Sequence, residues 1–305
     1  MSWKKLGRIF CPDGTQSWAQ THALMPTPVV LGDVIRVYFA ALDAQSFGRA
    51  GWVDLDARDP TRVVGQAQEP ALDLGALGTF DDSGVTPSCV LRVGAELWMY
   101  YVGWQRAERV PYLLFAGLAK SRDGGRSFER VSQVPVLDRS AAEPFSRGAP
   151  FVVSEPGGGF RGWYWASRGW SVPGGSPHYN NDLCESRSPD GLRWPAEGAC
   201  AAARRPDRGE FSLGRPWVAH GDRGWELWYT IRSHAAPDAI GLATSADGRH
   251  WARDDARIGL ARSDSGWDSE MVCYAAVLNV PGRELMFYNG NRHGLTGFGV
   301  AERVG

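Results

Sequence analysis

One pattern occurs five times along this 305-residue chain, and it restricts the fold more than anything else in the sequence. Each copy has a proline or its equivalent, a short apolar run, a turn, and a strand-like run rich in aromatics. The copies begin at Pro28, Pro87, Pro150, Pro216 and Tyr274, about sixty residues apart. Their second halves read Arg36-Val37-Tyr38-Phe39, Leu97-Trp98-Met99-Tyr100-Tyr101, Gly162-Trp163-Tyr164-Trp165, Leu227-Trp228-Tyr229-Thr230 and Leu285-Met286-Phe287-Tyr288. β-branched and aromatic enrichment around turn residues reads as a β-hairpin in every copy. Three copies continue into a Ser-x-Asp-Gly turn closed by an aromatic, at 121–128, 188–194 and 245–251. Asp-Gly between strand-like runs marks a further hairpin, and the aromatic is expected to pack between neighbouring repeats. The expected fold is therefore all-β: a five-bladed β-propeller with four-stranded antiparallel blades, one domain over residues 1–305. The last repeat ends near the C-terminus, so its outer strand is expected from the N-terminus, around residues 4–9, closing the ring.

Composition narrows the function classes. Lys and Arg total 33 against 34 Asp and Glu, with no basic block, so no nucleic-acid partner is expected. No 18-residue apolar stretch exists, so no membrane span is expected. The five cysteines are scattered without a C-x-x-C pair, against a disulfide framework or zinc ribbon. A cytoplasmic protein with no cofactor and no metal is the expectation, its oligomeric state open. The 14 tryptophans suit strand cores and also stacking on sugar rings.

Strand direction sorts the polar residues. In a four-stranded blade, the start of the innermost strand and the loop between the second and third strands share one face. The Ser-x-Asp-Gly turns fall on the other, where Asp123, Asp190 and Asp247 are expected to bond their own backbone. The first face gathers His22, Asp82, Arg147, Arg215 and Glu270 at the innermost-strand starts, with Asp268 two residues before Glu270. Trp104, Trp170, His178, Arg232, Asn289, Asn291 and His293 join them from the loops. Convergent polar groups within aromatic walls make a ligand funnel for a small molecule.

These repeats, with Phe80-Asp81-Asp82-Ser83-Gly84 and Ser265-Gly266-Trp267-Asp268-Ser269-Glu270, resemble the five-bladed propeller glycosidases of glycoside hydrolase families 43, 32, 62 and 130. The likeness runs over essentially the whole chain and is nearest to a subgroup of uncharacterised bacterial proteins. It implies carboxylate acid–base chemistry on a carbohydrate or glycosylated metabolite, with Asp82 and Glu270 as the pair and His22 as a third proton carrier. The chain departs from family 43, with His22 in place of the first-blade base and Arg147 near the place of the acid. A non-hydrolytic biosynthetic enzyme (a transferase, lyase or cyclase) and a sugar-binding propeller without catalysis therefore stay open.

Overall fold

The computed structural model describes residues 2–304; Met1 and Gly305, the ends of the expected domain, lie outside the described residues. The chain is all-β, and its strands fall into five antiparallel quartets. Quartet I holds β2 (Thr21–Leu31), β3 (Val34–Leu42), β4 (Gly48–Asp56) and β5 (Val63–Gln66). Quartet II holds β6 (Gly84–Val93), β7 (Glu96–Arg106), β8 (Tyr112–Ser121) and β9 (Glu129–Arg130). Quartet III holds β10 (Arg147–Ser154), β11 (Phe160–Ser171), β12 (His178–Ser188) and β13 (Ala199–Ala202). Quartet IV holds β14 (Glu210–Gly221), β15 (Gly224–Ser233), β16 (Ala239–Ser245) and β17 (Ala252–Arg253). In quartet V, β18 (Cys273–Val280), β19 (Arg283–Asn289) and β20 (Phe298–Val304) are joined by β1 (Ser2–Phe10), which pairs antiparallel with β20. Single parallel bridges, Gly48 to Gly84 and Arg147 to Phe115, link quartets I to III into one sheet.

The second strand of each quartet is apolar on both faces because both faces are covered. Val37, Tyr100, Trp163, Trp228 and Phe287 are fully buried. The aromatics that close the Ser-x-Asp-Gly turns cover those faces. Phe128 meets Tyr38 at 5.5 Å, Trp194 meets Tyr100 at 6.4 Å and Trp251 meets Trp163 at 6.4 Å, each reaching the preceding quartet. Trp3 does the same from β1, meeting Trp228 at 5.8 Å. Burying such a side chain contributes about 2–3 kcal/mol. The turns themselves bond inward: Asp123 accepts from the Arg126 N–H at 2.9 Å, Asp190 from Arg193 at 2.8 Å and Asp247 from His250 at 2.8 Å.

The innermost strands of quartets I, III, IV and V share a β-bulge, in which two residues oppose one. The first bulge residue is left-handed in all four: Met25 (φ 55°), Ala149 (46°), Arg215 (44°) and Tyr274 (56°). This register corrects the repeat. Pro26 is the counterpart of Pro150 and Pro216, not Pro28, and Ala275 takes the place in quartet V where Tyr274 was expected. It also separates Arg147 from Arg215, since Arg215 is equivalent to Ala149, two residues after Arg147.

Candidate functional site

The site is built where the innermost strands begin and the second strands end. There, residues from all five quartets surround a cavity of about 270 Å³. Aromatic rings form its walls. Trp104 enters from β7 and is fixed by its indole N–H, which donates to Thr86 Oγ1 at 2.9 Å. Trp170, near the end of β11, lies against Tyr179 of β12, ring centres 3.7 Å apart. His178 stands 4.9 Å from the Phe211 ring. Flat apolar rings with a few polar groups between them suit the faces of a sugar.

The charged part of the wall comes from quartets IV, V and I. After β19 the chain makes a single turn at Asn291–Gly294, with Arg292 (φ 53°) and His293 (φ 57°) left-handed. Two asparagines hold this turn. The buried Asn289 accepts from the Met25 N–H at 2.7 Å and donates to the Ala23 carbonyl at 2.7 Å, tying quartet V to quartet I. Asn291 accepts from the Glu270 N–H at 2.8 Å and donates to the Gly266 carbonyl at 3.0 Å. His293 then reaches the buried Asp238, its Nε2 2.9 Å from Oδ2, while Arg232 Nε donates to the same oxygen at 3.1 Å. Burial raises the Asp238 pKa, but the His293 hydrogen bond and the Arg232 charge outweigh it and hold the carboxyl below its ordinary range. Arg232 Nη2 also lies 2.8 Å from His293 Nε2, so that nitrogen faces both the Asp238 carboxylate and a guanidinium, while Nδ1 has no hydrogen-bond partner among the described residues. On β2, which packs against the Asn291–Gly294 turn, His22 (φ 61°) accompanies Thr21 Oγ1 at 3.0 Å. Burial, then the charges of His293 and Arg292, push the His22 imidazole down from its usual pKa. Burial, then His234 and Arg232, lower His178 in the same way.

Six of the residues expected from sequence thus line one cavity: His22, Trp104, Trp170, His178, Arg232 and His293. The other seven do not line it. Asp82 caps its own loop, accepting from the Gly78 N–H at 2.9 Å and the Ser83 hydroxyl at 2.8 Å. Glu270 is exposed. Asp268 is 1% exposed and pairs with Lys5 at 2.6 Å and the Tyr288 hydroxyl at 3.0 Å, fastening β1 to its quartet. Arg147 pairs with the buried Glu143 at 2.6 Å. Arg215 is fully buried and donates to the carbonyls of Pro26, Tyr274 and Ala275, so it ties three innermost strands together from within. Asn289 and Asn291 are the turn-holders described above. Among the described residues, no Asp or Glu lines the cavity, and no three His, Cys, Asp or Glu side chains gather as a metal-ligand set.

Asp238, Tyr112, Arg292 and Tyr274 were not among the expected site residues. Arg232 stands at the end of β15 and Asp238 in the second-to-third-strand loop that follows, so the rule that found one could have found the other. Tyr274 was hidden by the one-residue slip in the repeat.

No family model matches the chain. By structure, it is similar to the five-bladed propeller glycosidases of the family 43 and family 130 type. A β-1,2-mannobiose phosphorylase from Listeria innocua, in complex with β-1,2-mannobiose, superposes with a TM-score of 0.72 at 10% identity, over 99% of this chain and 96% of that one. A thermostable family-43 glycoside hydrolase gives 0.69 at 15% identity, over 94% and 90%. At such identities the likeness is one of fold. The uncharacterized protein Rv1502 of Mycobacterium tuberculosis is 34% identical over 302 residues, 99% of each chain. The chain belongs to the same family as that mycobacterial protein.

Proposed function

We propose that the five quartets are the blades of one propeller domain, closed as a ring by the N-terminal strand, and that its cavity takes and transforms a carbohydrate or glycosylated small molecule. Support for closure comes from the β1–β20 pairing and from Phe10 at the end of β1, which lies 5.0 Å from Phe39 of quartet I. Support for a carbohydrate comes from the aromatic walls and from the fold shared with glycosidases and phosphorylases.

The observation that carries the enzymatic reading is His293 on the cavity wall, paired with the buried Asp238 behind it and braced by Arg232. An imidazole oriented by an ionised carboxylate can take a proton from a sugar hydroxyl and return it to a leaving oxygen. In this reading the His293 proton sits on Nε2 against Asp238, Nδ1 carries the transferred proton, and His22 of quartet I is a second titrating group beside it. Hydrolysis by two carboxyls flanking a glycosidic bond is the weaker version, because neither Asp82 nor Glu270 lines the cavity. That placement favours a non-hydrolytic transformation of a small glycosylated metabolite.

A turnover screen of aryl glycosides, nucleotide sugars and glycosylated metabolites tests this, with wild type beside His293→Gln. The expected outcome is a substrate turned over by wild type and slowed about 100-fold or more in the variant. Ligand-induced stabilisation of both proteins with no turnover of any compound would sink the enzymatic reading and leave a binding propeller.

A further inference from the structure

The cavity has more cationic groups than carboxylates to balance them. Arg232 and His293 both lean on Asp238, their one carboxylate partner among the described residues. Arg292 lines the cavity, is exposed, and makes no ion pair or side-chain hydrogen bond among the described residues. His22 stands on the adjoining β2 with only the Thr21 hydroxyl as a side-chain partner among the described residues, close enough to Arg292 and His293 to feel their charge. No carboxylate of the wall offsets this surplus.

The backbone is spent on holding these groups together. His22, Arg292 and His293 are three of the eight non-glycine residues with positive φ in the described chain, and all three line the cavity. Strained backbone persists where its surroundings over-determine it, and such positions concentrate at ligand clamps. Here the surroundings are the side chains of Asn289 and Asn291. Asn289 bonds the strand that carries His22 to the end of the strand that leads into the Arg292 turn. The result is a guanidinium and two imidazoles converging from two quartets on one end of a small aromatic cavity.

We propose that this end of the cavity is a seat for an oxyanion, a phosphoryl or carboxylate group, with Arg292 as its principal contact and His22 and His293 beside it. The guanidinium fork matches two oxygens of such a group, and its binding there supplies the missing counter-charge. The oxyanion is either carried by the sugar or supplied as free phosphate alongside it. This deepens the reading of the cavity as a carbohydrate site and rests on it.

Isothermal titration of the full chain at low salt tests the seat with four probes: glucose 6-phosphate, glucuronate, inorganic phosphate and glucose. Arg292→Gln is titrated in parallel, and its ligand-free melting temperature should match wild type because the side chain is exposed and unpaired. The seat predicts that at least one anionic probe binds wild type about tenfold or more tighter than glucose, and that Arg292→Gln abolishes this preference while leaving glucose affinity unchanged. Preference for a charged sugar over inorganic phosphate places the oxyanion on the sugar; tight phosphate binding unaffected by glucose places it beside the sugar. Glucose binding as tightly as its charged derivatives would overturn the seat while leaving the carbohydrate reading intact. Phosphate binding that depends on Arg292, with no sugar bound at all, would uphold the seat and overturn the carbohydrate reading. Binding of no probe, or an anion preference that survives Arg292→Gln, would overturn the seat.

Discussion

Asp268 holds a carboxylate at a position 1% exposed, where Lys5 and the Tyr288 hydroxyl are its side-chain partners. A buried charge without its partners is costly, so each of these contacts counts for stability. Asp268→Asn should lower the unfolding free energy by about 2–3 kcal/mol, since it removes a charge-assisted hydrogen bond and leaves Lys5 unpaired. Glu270→Gln, two residues on but exposed, should stay within about 0.5 kcal/mol of wild type. Guanidinium denaturation of both variants checks the contrast, and equal destabilisation would refute it. The same pair shows why individual site residues were only partly legible in the sequence. Alternation along an extended strand would aim Asp268 and Glu270 alike, but this segment is a series of bends and turns that sends one inward and one outward. Tryptophan and histidine positions transferred better. Trp104 lies on β7, whose regular pairing lets the period of two fix direction, and Trp170 and His178 lie on β11 and β12 just beyond a bulge.

Elements were legible wherever a local rule decides them. The Ser-x-Asp-Gly turns form as expected because an Asp side chain can satisfy the backbone N–H groups two to four residues on, and glycine accepts the left-handed step: Gly124 has φ 77°, Gly191 73° and Gly248 69°. What the repeat could not reveal was the bulge register, because a two-residue bulge adds no composition of its own. Pro28 and Pro26 are equally good prolines, and pairing alone decides between them. The turns give a pH prediction. Partial burial raises the Asp123 pKa, but hydrogen bonds from Ser127, Ser121 and the Arg126 and Ser127 backbone outweigh it and hold the carboxyl at about 2 instead of 3.8. Its folded-state pKa is depressed, so its contribution is fully present above pH 3.8 and is lost as pH falls towards about 2. Asp123→Ala should therefore cost about 1 kcal/mol at neutral pH, with the gap to wild type closing through that acid window. Denaturant titrations at several pH values check it. A gap that stays constant down to pH 2 would contradict the assignment.

At the scale of the whole molecule, quartet V is completed by residues from the opposite end of the chain. β1 covers the edge of β20, brings Trp3 onto Trp228, and is fastened by the Lys5–Asp268 pair. Deleting residues 2–10 would expose that edge and remove all three contacts, so the shortened chain should lose the single cooperative unfolding transition expected of the full one. Coincident or separate transitions by tryptophan fluorescence and far-ultraviolet circular dichroism distinguish the cases. Sequence reading pointed to the end of the molecule that carries the cavity because strand direction alone sorts the two faces. It could not decide which polar groups reach the cavity, because that depends on bulges and a left-handed turn with no fixed sequence signature. The central claim is that proton transfer in this cavity belongs to His293 and Asp238, not to a pair of carboxylates. Its most direct test is the turnover of one identified glycosylated substrate by wild type, His293→Gln and the double variant Asp82→Asn/Glu270→Gln. The account predicts a loss of about 100-fold or more in kcat for His293→Gln and a change of no more than about twofold for the double variant. Loss of turnover in the double variant with His293→Gln still active would contradict it.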